Sequence, residues 1–316
     1  MRAIQFDRFG GPEVLDLVER DDPAADGDRL LLDVTAAGVN FADIEQVSGE
    51  YAKPKALPHI PGSEVVGRTA DGRRVAALTS GGGGYASRAA VHAHLAVDVP
   101  DGVDDGSALA VLVQGLTAWH MLASAARLAP AETVVVHAAA GGVGSLAVQL
   151  ARGLGAGRVI AVASTQDKRR LAVELGADVA VSDEADDYPA RIRAANDGLG
   201  ADVILDANGG ALQEIAAKAL APLGRLVSYG NASGEPRPLF NPDDLAENNA
   251  ALIGFWIRPL LDLPGYLEEP LGRMFAMVGD QTLRPLVSSE YALDNARQAH
   301  QDMKDRRTTG KVWLRV

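Results

Sequence analysis

The residues with the clearest chemical capacity are Ala138-Ala-Ala-Gly-Gly-Val-Gly144. They follow an apolar run at 133–138 (TVVVHA) and precede a segment with helical periodicity at 145–154. Small residues at Ala140, Gly141, Gly142, Val143 and Gly144 let the main chain come close to a diphosphate. A helix N-terminus then offers unpaired N–H groups and the positive end of its dipole to that anion. Strand, glycine turn and helix in that order, with a second apolar run at 158–163 (RVIAVA), form the context of a dinucleotide-binding turn. The end of the second run separates the two nicotinamide cofactors. An acidic residue there binds the ribose 2′-hydroxyl of NAD, whereas basic and hydroxyl groups accept the 2′-phosphate of NADP. Here Ser164 and Thr165 supply hydroxyl donors and Lys168 and Arg169 positive charge, while Asp167 reads as a helix-start charge. NADP, as NADPH, is therefore expected ahead of NAD.

Other chemistries are poorly represented. The chain has no cysteine, which excludes disulfides and every thiolate zinc site. His92-x-His94 sets two imidazoles on one face of an expected strand, but no third ligand is evident and no metal is expected there. The nucleophile-elbow pattern GxSxG is absent, and no paired-carboxylate signature stands out. His137, at the end of the first strand of the turn, is expected to be structural or close to the cofactor.

The elements that must position these residues alternate. Strands are expected at 133–138, 158–163, 178–181, 202–206 and 225–229, and helices at 145–154, 167–175, 186–196 and 211–221. Continuous apolar strands alternating with helices imply a parallel sheet covered on both faces, the doubly wound α/β arrangement. Before it, strands are expected at 29–35, 64–69 and 73–78, with Pro54, Pro58 and Pro61 breaking the intervening loop. Gly81 to Gly84 must be a turn or a loop near a ligand. A helix is expected over 107–128, stopped by Pro130, and the chain after about residue 255 reads as helical with an extended tail at 310–316. Leu252 to Ile257 reads as a sheet-edge strand pairing across a dimer, or as core.

Composition bounds the rest. The 316 residues suffice for two domains, and 47% hydrophobic with 23% charged residues is ordinary for a globular chain. A formal net charge of −12 disfavours nucleic acid and anionic membranes as partners. The N-terminus has no continuous apolar region of the signal-peptide kind, and the charge-free stretch from Thr133 to Ala151 is interrupted by Gly141, Gly142 and Gly144. A cytoplasmic location is expected, with neither nucleic acid nor membrane as partner.

The chain resembles the zinc-independent quinone oxidoreductases of the medium-chain dehydrogenase/reductase superfamily. The likeness runs through FGGPEVL (9–15), GVNFADIEQVSGEY (38–51), LPHIPGSEVVG (57–67), QGLTAWHML (114–122), HAAAGGVGSLAVQLAR (137–152), YGNASG (229–234) and TGKVWL (309–314). The resemblance implies a Rossmann domain at 114–255 inserted into a mostly β, GroES-like substrate domain at 1–113 and 256–316. It also implies a nicotinamide cofactor in an interdomain cleft and a homodimer. Zinc-dependent relatives carry a cysteine and a histidine where Asn40 and Ser63 stand here. By motif position, Asn40, Gln114 and Thr117 lie near the nicotinamide and Tyr51 near the substrate. Ser164 and Lys168 match 2′-phosphate contacts, Asn231 sits in a cofactor loop, and Lys311 approaches the cofactor phosphate. Each has a plainer alternative: a local cap for Asn40, ordinary helix residues for Gln114 and Thr117, a wall aromatic for Tyr51, and a solvated strand residue for Lys311. Asp183 stands where NADPH-binding relatives often carry a tyrosine, and a carboxylate there repels phosphate. The function implied is reduction of a quinone or other conjugated carbonyl acceptor, with Tyr51 and Asn40 at the reacting centre. An enoyl or 2-alkenal reductase on the same scaffold is the nearer rival, and a non-catalytic nucleotide-sensing or RNA-binding crystallin-like protein the more distant one.

Overall fold

A computed structural model describes residues 1–51 and 55–316. Pro54, expected to break a loop, lies outside the described residues. The chain divides into two compact units, Met1–Gln114 with Leu260–Val316, and Gly115–Pro259.

The first unit opens on an antiparallel pair, β1 (Arg2–Gln5) and β2 (Asp16–Glu19). β3 (Arg29–Val39) follows, then helix α1 (Phe41–Ser48), β4 (Glu64–Arg68), β5 (Arg74–Leu78), β6 (Arg88–His92) and β7 (Ala96–Asp98). Helix α2 (Asp105–Ala125) begins in this unit. Its turns widen to π geometry at Ala110–Gly115 and Met121–Ala125, a deviation that concentrates at functional positions. By length and composition α2 passes for a membrane span, but 72% of its apolar window is buried inside the protein, as in a core helix.

The second unit is built on β8 (Thr133–Val136), helix α3 (Gly142–Gly153), β9 (Arg158–Val162), helix α4 (Gln166–Glu174), β10 (Val179–Val181), β11 (Ala201–Asp206), β12 (Leu220–Ser228) and β13 (Ala251–Gly254). Its strands are all parallel, in the order β10-β9-β8-β11-β12-β13. Starting from β8, the chain adds β9 and β10 on one side and then crosses to add β11, β12 and β13 on the other, the Rossmann topology. Val134 to Val136, Val159 to Val162 and Val203 to Leu205 are wholly buried, because helices cover both faces of such a sheet.

The chain then returns to the first unit with β14 (Val287–Ala292) and β15 (Lys311–Arg315), and with helices over Glu268–Gly279 and Ala296–Lys304. The sheet runs β14-β15-β3-β4-β5-β7, with β6 also on β3. β15 pairs antiparallel with the end of β3, Val312 opposite Val39, so the C-terminal tail closes on the strand that leads into α1.

Several elements depart from the sequence expectation. α3 starts three residues earlier than periodicity predicts, since Gly142 to Gly144 form its first turn rather than a loop before it. α2 ends at Ala125, and the chain reverses through Arg127 at φ 50° before Pro130 is reached. β12 begins at Leu220 inside the expected helix end. β14 (VSSEYA) falls in a stretch that reads as helical; it is polar and mostly exposed, so it carries little periodic signal.

Candidate functional site

In the second unit, β8 delivers the chain into the glycine turn. Ala138 takes a left-handed conformation (φ 49°), and the Gly141 amide donates to its carbonyl at 2.8 Å. α3 then starts directly over that carbonyl. A side chain at Gly144 would bring its Cβ within 2.2 Å of the Ala138 oxygen and 2.9 Å of the Ala139 Cα. Glycine is therefore required for helix and strand to approach this closely. The amides of Gly142, Val143 and Gly144 belong to the first helical turn, where N–H groups have no intrahelical acceptor. Ala140, just before the turn, is buried. The arrangement suits a diphosphate.

β9 leads to Ser164, which is exposed, and Thr165, which N-caps α4 by accepting from the Lys168 amide at 3.2 Å. Lys168 is half-buried on the first turn. Arg169 is committed differently from its sequence reading. Its Nη1 donates to the carbonyls of Ala163 and Ser164 at 2.8 and 3.0 Å, which ties the loop to the helix. Asp183 is half-buried just past β10. Thr117 is buried on α2. Asn231 donates from Nδ2 to the Glu235 carbonyl at 3.0 Å, while its buried Oδ1 has no hydrogen-bond partner among the described residues.

His137 is structural. Its Nδ1 meets Asp206 Oδ1 at 2.8 Å and its Nε2 meets the Tyr188 hydroxyl at 2.6 Å, all inside the unit. Burial works to raise the Asp206 carboxyl, but the His137 hydrogen bond and charge and the amides of Asn208 and Gly209 hold it below the usual range. The network braces the ends of β8 and β11, beside the glycine turn.

In the first unit, Asn40 joins β3 to α1 at the centre of a buried polar cluster. Its backbone amide donates to Asp43 Oδ2 at 2.9 Å, so the carboxylate one turn into the helix ties down the start of α1. The Asn40 side-chain amide is engaged elsewhere. Nδ2 donates to Glu64 Oε1 at 2.8 Å, and Oδ1 accepts from Gln114 Nε2 at 3.1 Å and Lys311 Nζ at 3.2 Å. Glu64 Oε2 also accepts from the Val113 amide at 2.9 Å. Gly38 leaves room for this carboxylate, since a Cβ there would lie 2.3 Å from Glu64 Oε1. Gln114 Oε1 is buried without a hydrogen-bond partner among the described residues. Ser63 Oγ donates to Asp43 Oδ1 at 3.0 Å. One carboxylate, Asp43, thus bridges the Asn40 amide and the Ser63 hydroxyl. Burial pushes Asp43 up to about 6, against the hydrogen bonds from Asn40 and Ser63. The Tyr85 hydroxyl connects Asp43 Oδ2 (3.3 Å) to His300 Nε2 (3.0 Å), and burial pushes His300 down to about 4.

Lys311 requires a correction. The motif places it at a cofactor phosphate, but the structure seals it wholly inside the first unit, ion-paired to Glu64 and donating to the Val39 carbonyl at 3.3 Å. A lysine at the start of a strand antiparallel to β3 has its ammonium carried inward to the buried Glu64 carboxylate, and each charge neutralises the other. Tyr51 is half-buried just after α1, its amide donating to the Glu45 carbonyl at 3.0 Å. Sequence reasoning missed Asp43, Glu64, Tyr85 and His300. A carboxylate opening the apolar run EVVG at 64–67 was the one signal available.

Comparison with known proteins agrees with both units. Residues 26–101 match the alcohol dehydrogenase GroES-like domain and residues 142–269 match the zinc-binding dehydrogenase family. A quinone oxidoreductase of Pseudomonas aeruginosa is 35% identical over 99% of both chains. The quinone oxidoreductase of Thermus thermophilus, whose structures include a complex with NADPH, matches with a TM-score of 0.89, 39% identity and full coverage of both chains. The Escherichia coli quinone oxidoreductase complexed with NADPH matches with a TM-score of 0.92 and 28% identity, again with full coverage of both. A Rossmann unit, a GroES-like match and this full-length likeness lead to one assignment: the chain belongs to the quinone oxidoreductase family of the medium-chain dehydrogenase/reductase superfamily.

Proposed function

We propose that the protein reduces quinones, or other conjugated carbonyl acceptors, at the expense of NADPH and without a catalytic metal. The observation that carries this reading is the glycine turn over Ala138, with three first-turn amides of α3 presented to an anion. The residues present fit the cofactor: in the unit that carries the glycine turn, the buried acceptor Asn231 Oδ1 lacks a partner among the described residues, and an amide or hydroxyl hydrogen of a dinucleotide would supply one. When bound, NADPH supplies the hydride. Gly142, Val143 and Gly144 hold the diphosphate, and Ser164, Thr165 and Lys168 hold the 2′-phosphate. NAD is the lesser substrate, although the Asp183 carboxylate narrows the difference.

A catalytic zinc does not fit the Asn40–Ser63 corner. Asn40 Oδ1 already accepts two N–H groups, one from a cation, and the Ser63 hydroxyl donates to Asp43. Without a Lewis acid, the acceptor must itself delocalise the charge that hydride brings, which favours quinones and enones over simple ketones. Asn40, pinned by three partners, is a positioning residue. Tyr51 donates its phenolic proton to the oxyanion formed on the acceptor. β13 ends the sheet order, with Leu252 exposed on it and Trp256 exposed just beyond. That free edge supports a homodimer, which a monomer on gel filtration would exclude.

Steady-state oxidation of NADPH and NADH with 1,4-benzoquinone and a conjugated enone tests the reading. Lys168→Ala should raise KM for NADPH more than for NADH. No turnover with any electrophile alongside tight NADPH binding would instead favour a sensor, and faster enone than quinone reduction an enoyl or 2-alkenal reductase.

A further inference from the structure

We propose that Asp28, His92 and His94 form a site for a divalent late transition-metal ion on the first unit, separate from the Asn40 cluster. The His92-x-His94 motif lacks a third donor in sequence, and the fold supplies it. His92 ends β6, and His94 lies in the 3-10 turn Ala93–Leu95 rather than in the strand. β3 pairs with β6 so that Arg29 stands opposite His92, and the Ala93 amide donates to the Asp28 carbonyl at 3.0 Å. The backbone between the two histidines is therefore fastened to the residue that carries the carboxylate, which pre-positions all three side chains.

The donor atoms converge. His92 Nδ1 lies 3.0 Å from Asp28 Oδ1 and His94 Nδ1 lies 3.8 Å from Oδ2. One donor atom from each residue falls within 4.8 Å of the others. Metal–ligand bonds of about 2.1 Å separate neighbouring donors by about 3.0 Å in an octahedron and about 3.4 Å in a tetrahedron. Small side-chain rotations bring the observed spacing to those values. A second feature points the same way. His94 Nε2 faces Asp262 Oδ1 at 3.7 Å, the carboxylate on the far nitrogen that commonly orients a ligating imidazole. Two imidazoles and a carboxylate favour Zn²⁺, Ni²⁺ or Cu²⁺ over Ca²⁺ or Mg²⁺, with water in the open positions. A bound ion would fasten the start of β3, the turn after β6 and the 262 region to one another, and would stabilise the folded chain by mass action.

Calorimetric titration of the tag-free full chain with ZnCl₂ tests this. The expected result is one ion per chain, with affinity reduced at least about tenfold in His94→Gln and in Asp28→Asn, and abolished in the His92→Gln/His94→Gln double variant. MgCl₂ should give no binding. The side chains are partly or fully exposed, so the double variant should melt like the wild type in the absence of metal; only the wild type should gain melting temperature on adding Zn²⁺. Of the four histidines that remain in the double variant, His120, His137 and His300 are buried and His59 is half-buried with its Nε2 inside, so retained binding in the double variant, or no binding by the wild type, overturns the proposal.

Discussion

Lys311→Met separates the observed role of this residue from the one its motif implied. Methionine keeps most of the apolar stem but removes a wholly buried ammonium that donates to Glu64, Val39 and Asn40. Glu64 then stays inside with only the Asn40 and Val113 N–H groups as partners. Leaving one member of a buried pair uncompensated costs about 3–5 kcal/mol. Urea unfolding at pH 7 measures the loss. The double variant Lys311→Met/Glu64→Gln should recover most of it. A deficit under about 1 kcal/mol at pH 7 would refute the buried-pair reasoning. A raised KM for NADPH with unchanged stability would restore the phosphate contact.

Gly144→Ala places a methyl 2.2 Å from the Ala138 carbonyl oxygen; since that neighbour is backbone, the turn must shift, and NADPH affinity should fall by more than about tenfold in a fluorescence titration. Asp43→Asn removes a carboxyl whose pKa rises from 3.8 to about 6 on folding. The wild type's extra stability from that group is present below pH 4 and lost as pH climbs through about 6, so melts at pH 4 and 7 should shift the comparison toward the variant by about 3 kcal/mol. His300 acts with the opposite sign: its pKa falls to about 4, so stability is lost as pH drops from 6.5 through 4, and His300→Gln should resist acid better than the wild type. Tyr51→Phe should lower kcat while leaving NADPH affinity intact; unchanged turnover removes Tyr51 from the proton transfer.

The second unit was legible in the sequence because its signals are local. A fully buried parallel strand must be apolar along its length, as TVVV and RVIAV are, and the turn that follows must be small where Gly144 meets the Ala138 carbonyl. The Rossmann sheet and the dinucleotide turn follow from neighbours in the chain. The polar cluster of the first unit joins residues 40, 43, 63, 64, 114 and 311, and the His92-x-His94 pair gains its third donor from Asp28. Those contacts depend on strand register: β15 on β3 carries Lys311 to Asn40 and Glu64, and β3 on β6 carries Asp28 to the histidines. A lysine at the start of a strand reads as solvated until pairing shows which carboxylate lies opposite. Charge burial is a property of the folded neighbourhood, not of the residue type, so tertiary structure alone decided that Lys311 is a core ion-pair partner rather than a phosphate ligand.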